Sequence, residues 1–410
     1  MTGAVPALVS VNVLPPENFT RVRFSSNLKN VPALTLTLDG KDRVERALEE
    51  LDSGLLQVKE ALPGLSASDD DLASAYSALE DLGDALWYTL FGNDETTIHG
   101  IQEFWKSAMP FARNPRFSPP LVECVADTPF PVEYLPLLGP FPAKPAASRA
   151  ELLDRFRSFI GFSCLVQRKT RTTQSAGTLR LTTNSDGSIP VRYLHYDTLP
   201  GACRELAWFT QYSQRVRIEG PYPDAQWTVS LPEQIFDPRT LLVGGMRDVP
   251  DQIQHFSCHC YTKARTPLDS EIELSGPGRS VRLRLRDIGK DLVRLSRRSA
   301  LRDFDLPLVF LNACGSARMH ADGAFSFPQL FLKNKNRGFI GTEIEMPDDV
   351  ASAFSAAFYE RLLQWGMPLG RAMLEARRHL LYQHGNPLGI AYTSYADPEL
   401  HADRPREGDS

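Results

Sequence analysis

The segment Leu308–Gly315 reads LVFLNACG, and the segment Gln252–Cys260 reads QIQHFSCHC. Both are short, largely apolar runs that end in a residue suited to nucleophilic chemistry, Cys314 in the first and His259 in the second. Apolar runs without alternation are typical of strands covered on both faces of a parallel sheet. The 55 residues from His259 to Cys314 leave room for one crossover between two such strands. Because neighbouring parallel strands end at the same sheet edge, the sequence predicts that these two side chains meet there.

Further runs of the same kind extend this α/β pattern through the second half of the chain. They are separated by polar or helical segments, so we predict a mostly parallel sheet flanked by helices. The predicted strands are Leu241–Val243, Ile253–Cys258, Leu308–Ala313 and Phe339–Ile344, and the predicted helices are Val350–Gln364 and Leu369–Tyr382.

The N-terminal part has a different pattern. Apolar and polar residues alternate in Val9–Val13 and Leu34–Leu38, which predicts hairpin strands. Apolar residues then recur with helical spacing in Asp42–Leu62 and Asp70–Leu90, which predicts a helical hairpin. We therefore expect an N-terminal α+β region over residues 1–120.

Three further segments complete the predicted organisation. Residues 121–240 form the first half of the second region, residues 241–396 the catalytic half, and residues 397–410 a flexible polar tail. The proline-rich stretch 136–145 and the stretch 170–187 are expected to be loops.

Composition excludes several functional classes. The chain has 410 residues, 42% of them hydrophobic, and a net charge of −5, which gives no general attraction to nucleic acid or to anionic membranes. No run reaches the roughly 18 apolar residues that cross a bilayer, and residues 1–16 lack the basic start of a secretory signal. Six cysteines in so long a chain do not indicate a disulfide framework, and a thiolate enzyme needs a reducing compartment. We expect a cytoplasmic protein that binds no nucleic acid and no membrane.

The chemistry of thiols assigns the two roles. A cysteine attacks as the thiolate, and a neighbouring imidazole is needed because few thiols are ionised at neutral pH. Cys314 is therefore the candidate nucleophile and His259 the candidate general base. Without its context, a cysteine in such an apolar run would be a small core residue.

The sequence offers weaker signals for a metal site and for a serine nucleophile. His255, Cys258, His259 and Cys260 crowd four metal-binding side chains together, but strand alternation places His255 and His259 on one face and both cysteines on the other. We therefore predict no metal and no cofactor. Ser316 lacks the G-x-S-x-G surroundings of a serine nucleophile.

The residues around the pair resemble the CHAT branch of the caspase-like cysteine proteases. His255–His259 (HFSCH) and Leu311–Ser316 (LNACGS) are similar to that family's "H-F-x-C-H-G" and "L-N-A-C-x-S" motifs. Weaker similarity lies in Phe130–Leu135, Gly338–Thr342 and Pro368–Leu381, so the resemblance covers about residues 120–395. One departure is Cys260, which stands where the family usually has glycine.

The resemblance implies a caspase-like fold and a cysteine endopeptidase that forms an acyl-enzyme on Cys314. It also implies that the backbone N–H groups of Cys260 and Cys314 bind the oxyanion. His255 and Asn312 are expected behind the pair or beside the substrate pocket. Asp349 is expected to cap a helix and stabilise its dipole, with a place beside the substrate pocket as the alternative.

The resemblance also implies a protein substrate. In bacterial antiviral defence or regulated cell death, this would be a gasdermin-like pore former or another protein encoded beside the chain, with a sensor protein as activator. The alternative function is a catalytically degenerate scaffold or regulatory protein. For the protease we expect an inactive resting state, switched by a partner or by residues 1–120.

Other charged and aromatic residues receive structural interpretations. Arg282, Arg284 and Arg286 alternate with apolar residues, which predicts three arginines on one strand face. That face is either a solvated edge or a docking site for an acidic partner. Glu205 and Trp208 are expected to pack.

Overall fold

The chain divides into two units, each with its own sheet. The first comprises Met1–Arg171, Ala321–Gly323 and Arg377–Ala391, and the second comprises Thr172–His320, Ala324–Ala376 and Tyr392–Ser410. The computed structural model describes residues 8–14, 20–38, 42–109, 118–127, 129–137, 139, 148–170, 178–224, 249–263, 266–297, 306–318 and 326–403.

The first unit contains a five-stranded mixed sheet in the order β3-β2-β1-β4-β5. Strands β1, β2 and β3 pair antiparallel, whereas β1, β4 and β5 pair parallel. The alternation of buried and exposed residues in β2 explains why the sequence pattern marks this region as strands. The strands are β1 (Leu8–Leu14), β2 (Thr20–Ser26), β3 (Leu34–Leu38), β4 (Leu121–Val125) and β5 (Leu165–Lys169).

Five helices accompany this sheet: α1 (Asp42–Glu60), α2 (Asp69–Phe91), α3 (Glu95–Ala108), α4 (Arg149–Phe156) and α5 (Ile160–Ser163). The predicted helical hairpin is confirmed as α1 and α2. A capping box between Ser68 and Asp71 starts α2. The two helices approach closely at Gly54, where a β-carbon would lie 2.7 Å from Leu82 Cδ1.

The second unit contains a six-stranded sheet in the order β15-β14-β13-β9-β7-β8. Its strands pair parallel except at the edge, where β15 runs antiparallel to β14. The predicted strands Ile253–Cys258, Leu308–Ala313 and Phe339–Ile344 are confirmed with shifted ends, and Leu241–Val243 lies outside the described residues. The strands are β7 (Ile189–His195), β8 (Val216–Tyr222), β9 (Ile253–Ser257), β13 (Leu306–Asn312), β14 (Asn336–Thr342) and β15 (Tyr392–Ser394).

Helices flank this sheet, as the apolar runs predict. They are α6 (Pro200–Gln211), α7 (Leu285–Arg297), α8 (Phe327–Lys333), α9 (Asp348–Tyr359) and α10 (Leu369–His384), the last contributing residues to both units. A π-helical turn, Glu360–Gln364, extends α9 to the predicted end of that helix. All seven residues of β14 are buried, as expected for a central parallel strand.

Two small sheets complete the second unit. Strands β10 (His259–Tyr261), β11 (Glu271–Gly276) and β12 (Arg279–Arg284) pair antiparallel, and β6 (Arg180–Leu181) pairs parallel with β16 (His401–Ala402). The latter pair corrects the expectation of a loop at 170–187 and of a tail from residue 397. Both strands belong to the fold, and Leu181 and Leu400 are buried.

Candidate functional site

The two segments that carry His259 and Cys314 end side by side. Strands β9 and β13 are parallel neighbours, and Ser257 is the register partner of Asn312. His259 and Cys314 each follow that last pair by two residues. The chain remains close beyond the strands, because a β-carbon on Gly315 would lie 3.7 Å from Thr262 Oγ1. The structure therefore brings both segments to one edge of the sheet.

A tight turn holds Cys314 at the end of β13. Gly315 adopts a φ of 62°, a left-handed conformation that favours glycine. The Ser316 N–H donates to Ala313 O (3.2 Å), and the Gly315 N–H donates to Ile344 O (3.0 Å). The turn is thereby tied both to itself and to the chain beyond β14.

The side chains of Ser316 and Thr342 stabilise this turn through hydrogen bonds. The Ser316 hydroxyl donates to Leu311 O (2.7 Å) and accepts from the Thr342 N–H (3.1 Å). The Thr342 hydroxyl donates to Ala313 O (2.8 Å). Both side chains are fully buried. Ser316 is thus a structural residue of the turn, in agreement with its lack of a nucleophile motif.

Three cysteines lie near this edge, and they differ in exposure. Cys314 is half-buried, whereas Cys258 and Cys260 are buried in an apolar cluster with Phe256 and Ile272. Burial, and then the negative charges of neighbouring cysteines, raise the pKa of both buried thiols. Because the thiolate is the nucleophile, these two thiols are poor candidates for attack on a peptide carbonyl.

The His259 ring is half-buried and lies against Tyr196. The two ring centroids are 4.5 Å apart with an interplanar angle of 66°, an edge-to-face contact. The Tyr196 N–H donates to Ser257 O (2.8 Å), which ties the tyrosine to the end of β9. The sequence analysis did not identify Tyr196.

Glu273 is the cross-strand partner of His259 in the small antiparallel sheet. Its oxygens accept from Ser280 (2.7 Å), Tyr261 (3.1 Å) and Arg282 (3.2 Å). The hydrogen bond from Ser280, followed by those from Arg282 and Tyr261, lowers the pKa of Glu273. The Glu273 carboxylate therefore belongs to the strand residue opposite His259, and it forms an ion pair with Arg282.

His195 ends β7 at the same sheet edge, opposite Ser257. Strand β9 lies between β7 and β13, so His195 is one strand farther from Cys314 than the segment carrying His259. Burial lowers the pKa of His195, which disfavours its protonated form. These features make His259 the better candidate base.

A chain of buried polar side chains lies beneath the sheet edge, and we call it the Glu205 network. Glu205 Oε2 accepts from His255 Nε2 (2.5 Å), and Glu205 Oε1 accepts from Asn312 Nδ2 (2.5 Å). The Tyr359 hydroxyl lies 2.9 Å from His255 Nδ1, and the Tyr392 hydroxyl donates to Asn312 Oδ1 (2.6 Å). The interpretation of Glu205 as a packing residue is wrong, because its carboxylate joins helix α6 to β9 and β13.

The other members of the network are fixed by packing. The His255 ring is stacked between Tyr193, at a centroid distance of 5.3 Å, and Phe310, at 5.1 Å. Burial, and then the charge of Glu205, raise the pKa of Tyr359 well above its ordinary value, so that its hydroxyl keeps its proton. The structure therefore places His255 and Asn312 behind the sheet edge.

Asp349 lies at the start of α9, the helix whose Ala351 O accepts from Asn312 Nδ2 (3.3 Å). It is half-buried in the first turn of α9, and its Oδ1 accepts from the Val350 N–H (2.9 Å). An acidic side chain in this position stabilises the helix dipole. This hydrogen bond supports the interpretation of Asp349 as a residue that stabilises the start of the helix.

The prediction of three arginines on one strand face is wrong for Arg286. Arg282 and Arg284 lie on β12, but α7 begins at Leu285, so Arg286 is helical. Arg282 pairs with Glu271 (3.4 Å) as well as Glu273, and Arg284 approaches Glu271 (3.9 Å). Because these arginines have acidic partners on the neighbouring strand, the case for docking of an acidic protein is weakened.

The described residues contain no group of three or more His, Cys, Asp or Glu side chains placed to hold a metal ion. None of the helices in these ranges has the length and apolar character required to cross a membrane.

Comparisons with known proteins address the family. A probable protease of Vitiosangium sp. (strain GDMCC 1.1324) is 32% identical over 113 residues, which are 25% of this chain and 15% of that protein. Among solved structures, the Saccharomyces cerevisiae separase–securin complex matches with a TM-score of 0.46 and 10% identity, over 97% of this chain and 30% of that one. The Arg-specific cysteine proteinase gingipain R matches with a TM-score of 0.40 and 12% identity, over 74% and 68%.

The structural matches are similarities of general outline and bear on neither substrate nor mechanism. The chain spans only a small part of the Vitiosangium protease. The family model named CHAT domain, by contrast, matches residues 140–405, well over half of the chain. This range includes both His259 and Cys314, and the chain belongs to the CHAT domain family.

Proposed function

We propose that this chain is a cysteine endopeptidase that cleaves a specific protein partner, with Cys314 as nucleophile and His259 as general base. The observation that supports this most is the register of β9 and β13, since both residues follow the paired ends of adjacent parallel strands. Family membership and the partial exposure of Cys314 agree with it.

The proposed reaction has two halves. His259 takes the proton from Cys314 Sγ, and the thiolate attacks the carbonyl carbon of the scissile peptide. When the C–N bond breaks, the imidazolium returns its proton to the leaving amine, and a thioester to Cys314 remains. A water molecule, deprotonated by His259, then hydrolyses the thioester and restores the thiol.

The proposed oxyanion donors are the backbone N–H groups of Cys260 and Cys314. Such donors are commonly worth about 3 kcal/mol each in the transition state. Cys260 lies in a regular strand, and Lys335 is the only non-glycine residue of the described ranges with a positive φ. Position 260 therefore does not need the conformational freedom of glycine, which supports a functional site despite the departure from the family motif.

We place the substrate among the proteins encoded beside this chain, for example a gasdermin-like pore former. Cleavage would serve antiviral defence or regulated cell death, with a sensor protein as activator. The free thiol chemistry calls for a reducing compartment such as the cytoplasm. Support for this setting comes from the family resemblance, and turnover by the purified chain alone would contradict the expected inactive resting state.

The test is co-expression of the chain with each neighbouring protein, followed by intact-mass analysis of the neighbour. A discrete fragment is expected with the wild type and absent with Cys314→Ala or His259→Ala. The matched controls are Cys203→Ala and His99→Ala, because both are exposed helical residues that do not belong to the proposed pair. A fragment that persists in Cys314→Ala would contradict the assignment.

A second measurement covers the case of a missing activator. Alkylation by iodoacetamide should modify Cys314 faster than the more exposed Cys203 if His259 promotes the thiolate. Equal rates, unchanged by His259→Ala, would favour the catalytically degenerate scaffold.

A further inference from the structure

We propose that Cys260 and Cys314 form an oxidation-sensitive pair, in which a peroxide converts the reactive cysteine to a sulfenic acid and the second thiol closes a disulfide. The inference rests on the proposed function, because it takes Cys314 as the reactive thiol. It adds a reversible means of switching the same site off.

The segments that carry Cys260 and Cys314 lie side by side. Cys260 follows the last β9–β13 register pair by three residues, and Cys314 follows it by two. The segments are still adjacent at Thr262 and Gly315, where a β-carbon on the glycine would be 3.7 Å from Thr262 Oγ1. Cys260 and Cys314 lie just before these two residues, so the thiols belong to segments that run side by side.

The two thiols differ in exposure and in pKa. Cys314 is half-buried and can meet a peroxide, whereas Cys260 is 7% exposed within the apolar cluster. Burial, and then the charge of Cys314, raise the pKa of the Cys260 thiol. Cys260 is therefore protected from direct oxidation but lies next to the cysteine that is oxidised first.

Cys258 is the natural competitor for this role. It is 3% exposed in the same cluster, and burial raises its pKa well above the ordinary value. Its position in the bend between β9 and β10 is two residues earlier in the chain. Cys260 lies within β10, two residues before the Thr262 that approaches Gly315, so we take Cys260 as the partner and Cys258 as a matched control.

The proposed steps balance without any further reagent. The Cys314 thiolate attacks one oxygen of hydrogen peroxide, the O–O bond breaks, hydroxide leaves, and Cys314 becomes a sulfenic acid. The sulfur of Cys260 then attacks the sulfenic sulfur, and its proton leaves with the displaced hydroxyl group as water. A dithiol reductant reverses the disulfide, whereas further oxidation of the sulfenic acid to sulfinic acid would be irreversible.

The experiment exposes the purified chain to hydrogen peroxide, blocks the remaining thiols with N-ethylmaleimide under denaturing conditions, and maps the peptides by mass spectrometry. The six free thiols of the reduced wild type are expected to fall by two, with a Cys260–Cys314 peptide pair that dithiothreitol removes. Cys260→Ala should lose the cross-link and accumulate Cys314 sulfinic acid. Cys258→Ala, which removes a similar buried thiol from the same cluster, should retain the cross-link.

Other outcomes overturn the proposal. Equal accumulation of sulfinic acid in the wild type and Cys260→Ala, or a Cys258–Cys260 link in place of the expected one, would contradict it. Melting curves of both alanine variants check that each is folded. Because the readout is a mass and needs no substrate, a cross-link without proteolysis would count against the endopeptidase alone. Proteolysis without a cross-link would count against the redox pair alone.

Discussion

At the scale of single residues, Tyr196 has the most direct contact with the proposed base. An edge-to-face ring pair contributes about 0.5–1.5 kcal/mol, which corresponds to roughly 2- to 10-fold in rate. Because the ring helps to hold the His259 imidazole, Tyr196→Leu should slow the alkylation of Cys314 by that factor and alter its pH profile. Tyr196→Phe keeps the ring and should react like the wild type. Wild-type rates in the leucine variant would show that Tyr196 does not position the histidine.

Some residues of the candidate site could be predicted from the sequence, and others could not. The motifs around His259 and Cys314 are local, so they could be read directly from the chain. Tyr196 and Glu205 could not, because their importance depends on contacts with residues distant in sequence. For Glu205 the weak signal was an acidic residue on a helix face that also carries the buried Phe209.

At the scale of elements, α6 is linked to β9 and β13 through one carboxylate. Glu205→Gln places an amide N–H₂ against one of two donors, His255 Nε2 or Asn312 Nδ2. Leaving a buried group without its hydrogen bond costs about 1–3 kcal/mol. We expect a lower melting temperature and slower alkylation of Cys314, whose turn follows Asn312.

The matched control for this variant is Glu60→Gln, since Glu60 is exposed at the end of α1. It should melt like the wild type. If Glu205→Gln did so too, the Glu205 network would not stabilise the strand ends.

The sequence analysis did not predict strand β7 or helix α3. β7 contains Pro190 and Arg192, both unusual in a central strand, and it was not predicted. Its arginine is tolerated because Asp251 pairs with it at 2.8 Å in a fully buried position. α3 was also missed, although Asp94 caps it and Ile101, Phe104 and Trp105 follow helical spacing.

At the scale of the whole molecule, each unit contains a buried ion pair. In the first unit Glu133 accepts from Arg168 (2.7 Å), and in the second Asp251 pairs with Arg192 (2.8 Å). Removing one partner of such a pair costs roughly 3–5 kcal/mol, because a buried charge remains uncompensated. Glu133→Gln should therefore speed hydrogen exchange in β4 and β5, and Asp251→Asn should do so in β7 and β9.

Peptide-resolved hydrogen exchange by mass spectrometry measures both variants, and each is the control for the other. Equal acceleration in both units from either substitution would mean that they unfold as one. The sequence could predict the α+β character of the first unit and the parallel sheet of the second. Unit membership at residues 377–391 could not be predicted, since α10 is one uninterrupted helix.

Trp208 lies one helical turn beyond Glu205. The centroid of its ring is 4.6 Å from that of Tyr212 and 5.9 Å from that of Tyr359. Tyr359 in turn reaches His255 through its hydroxyl. The emission wavelength and the quenching of the Trp208 indole therefore depend on how α6 packs against its neighbours. The difference in fluorescence between the wild type and Trp208→Phe would thus follow rearrangement beneath the site in real time, without an attached dye.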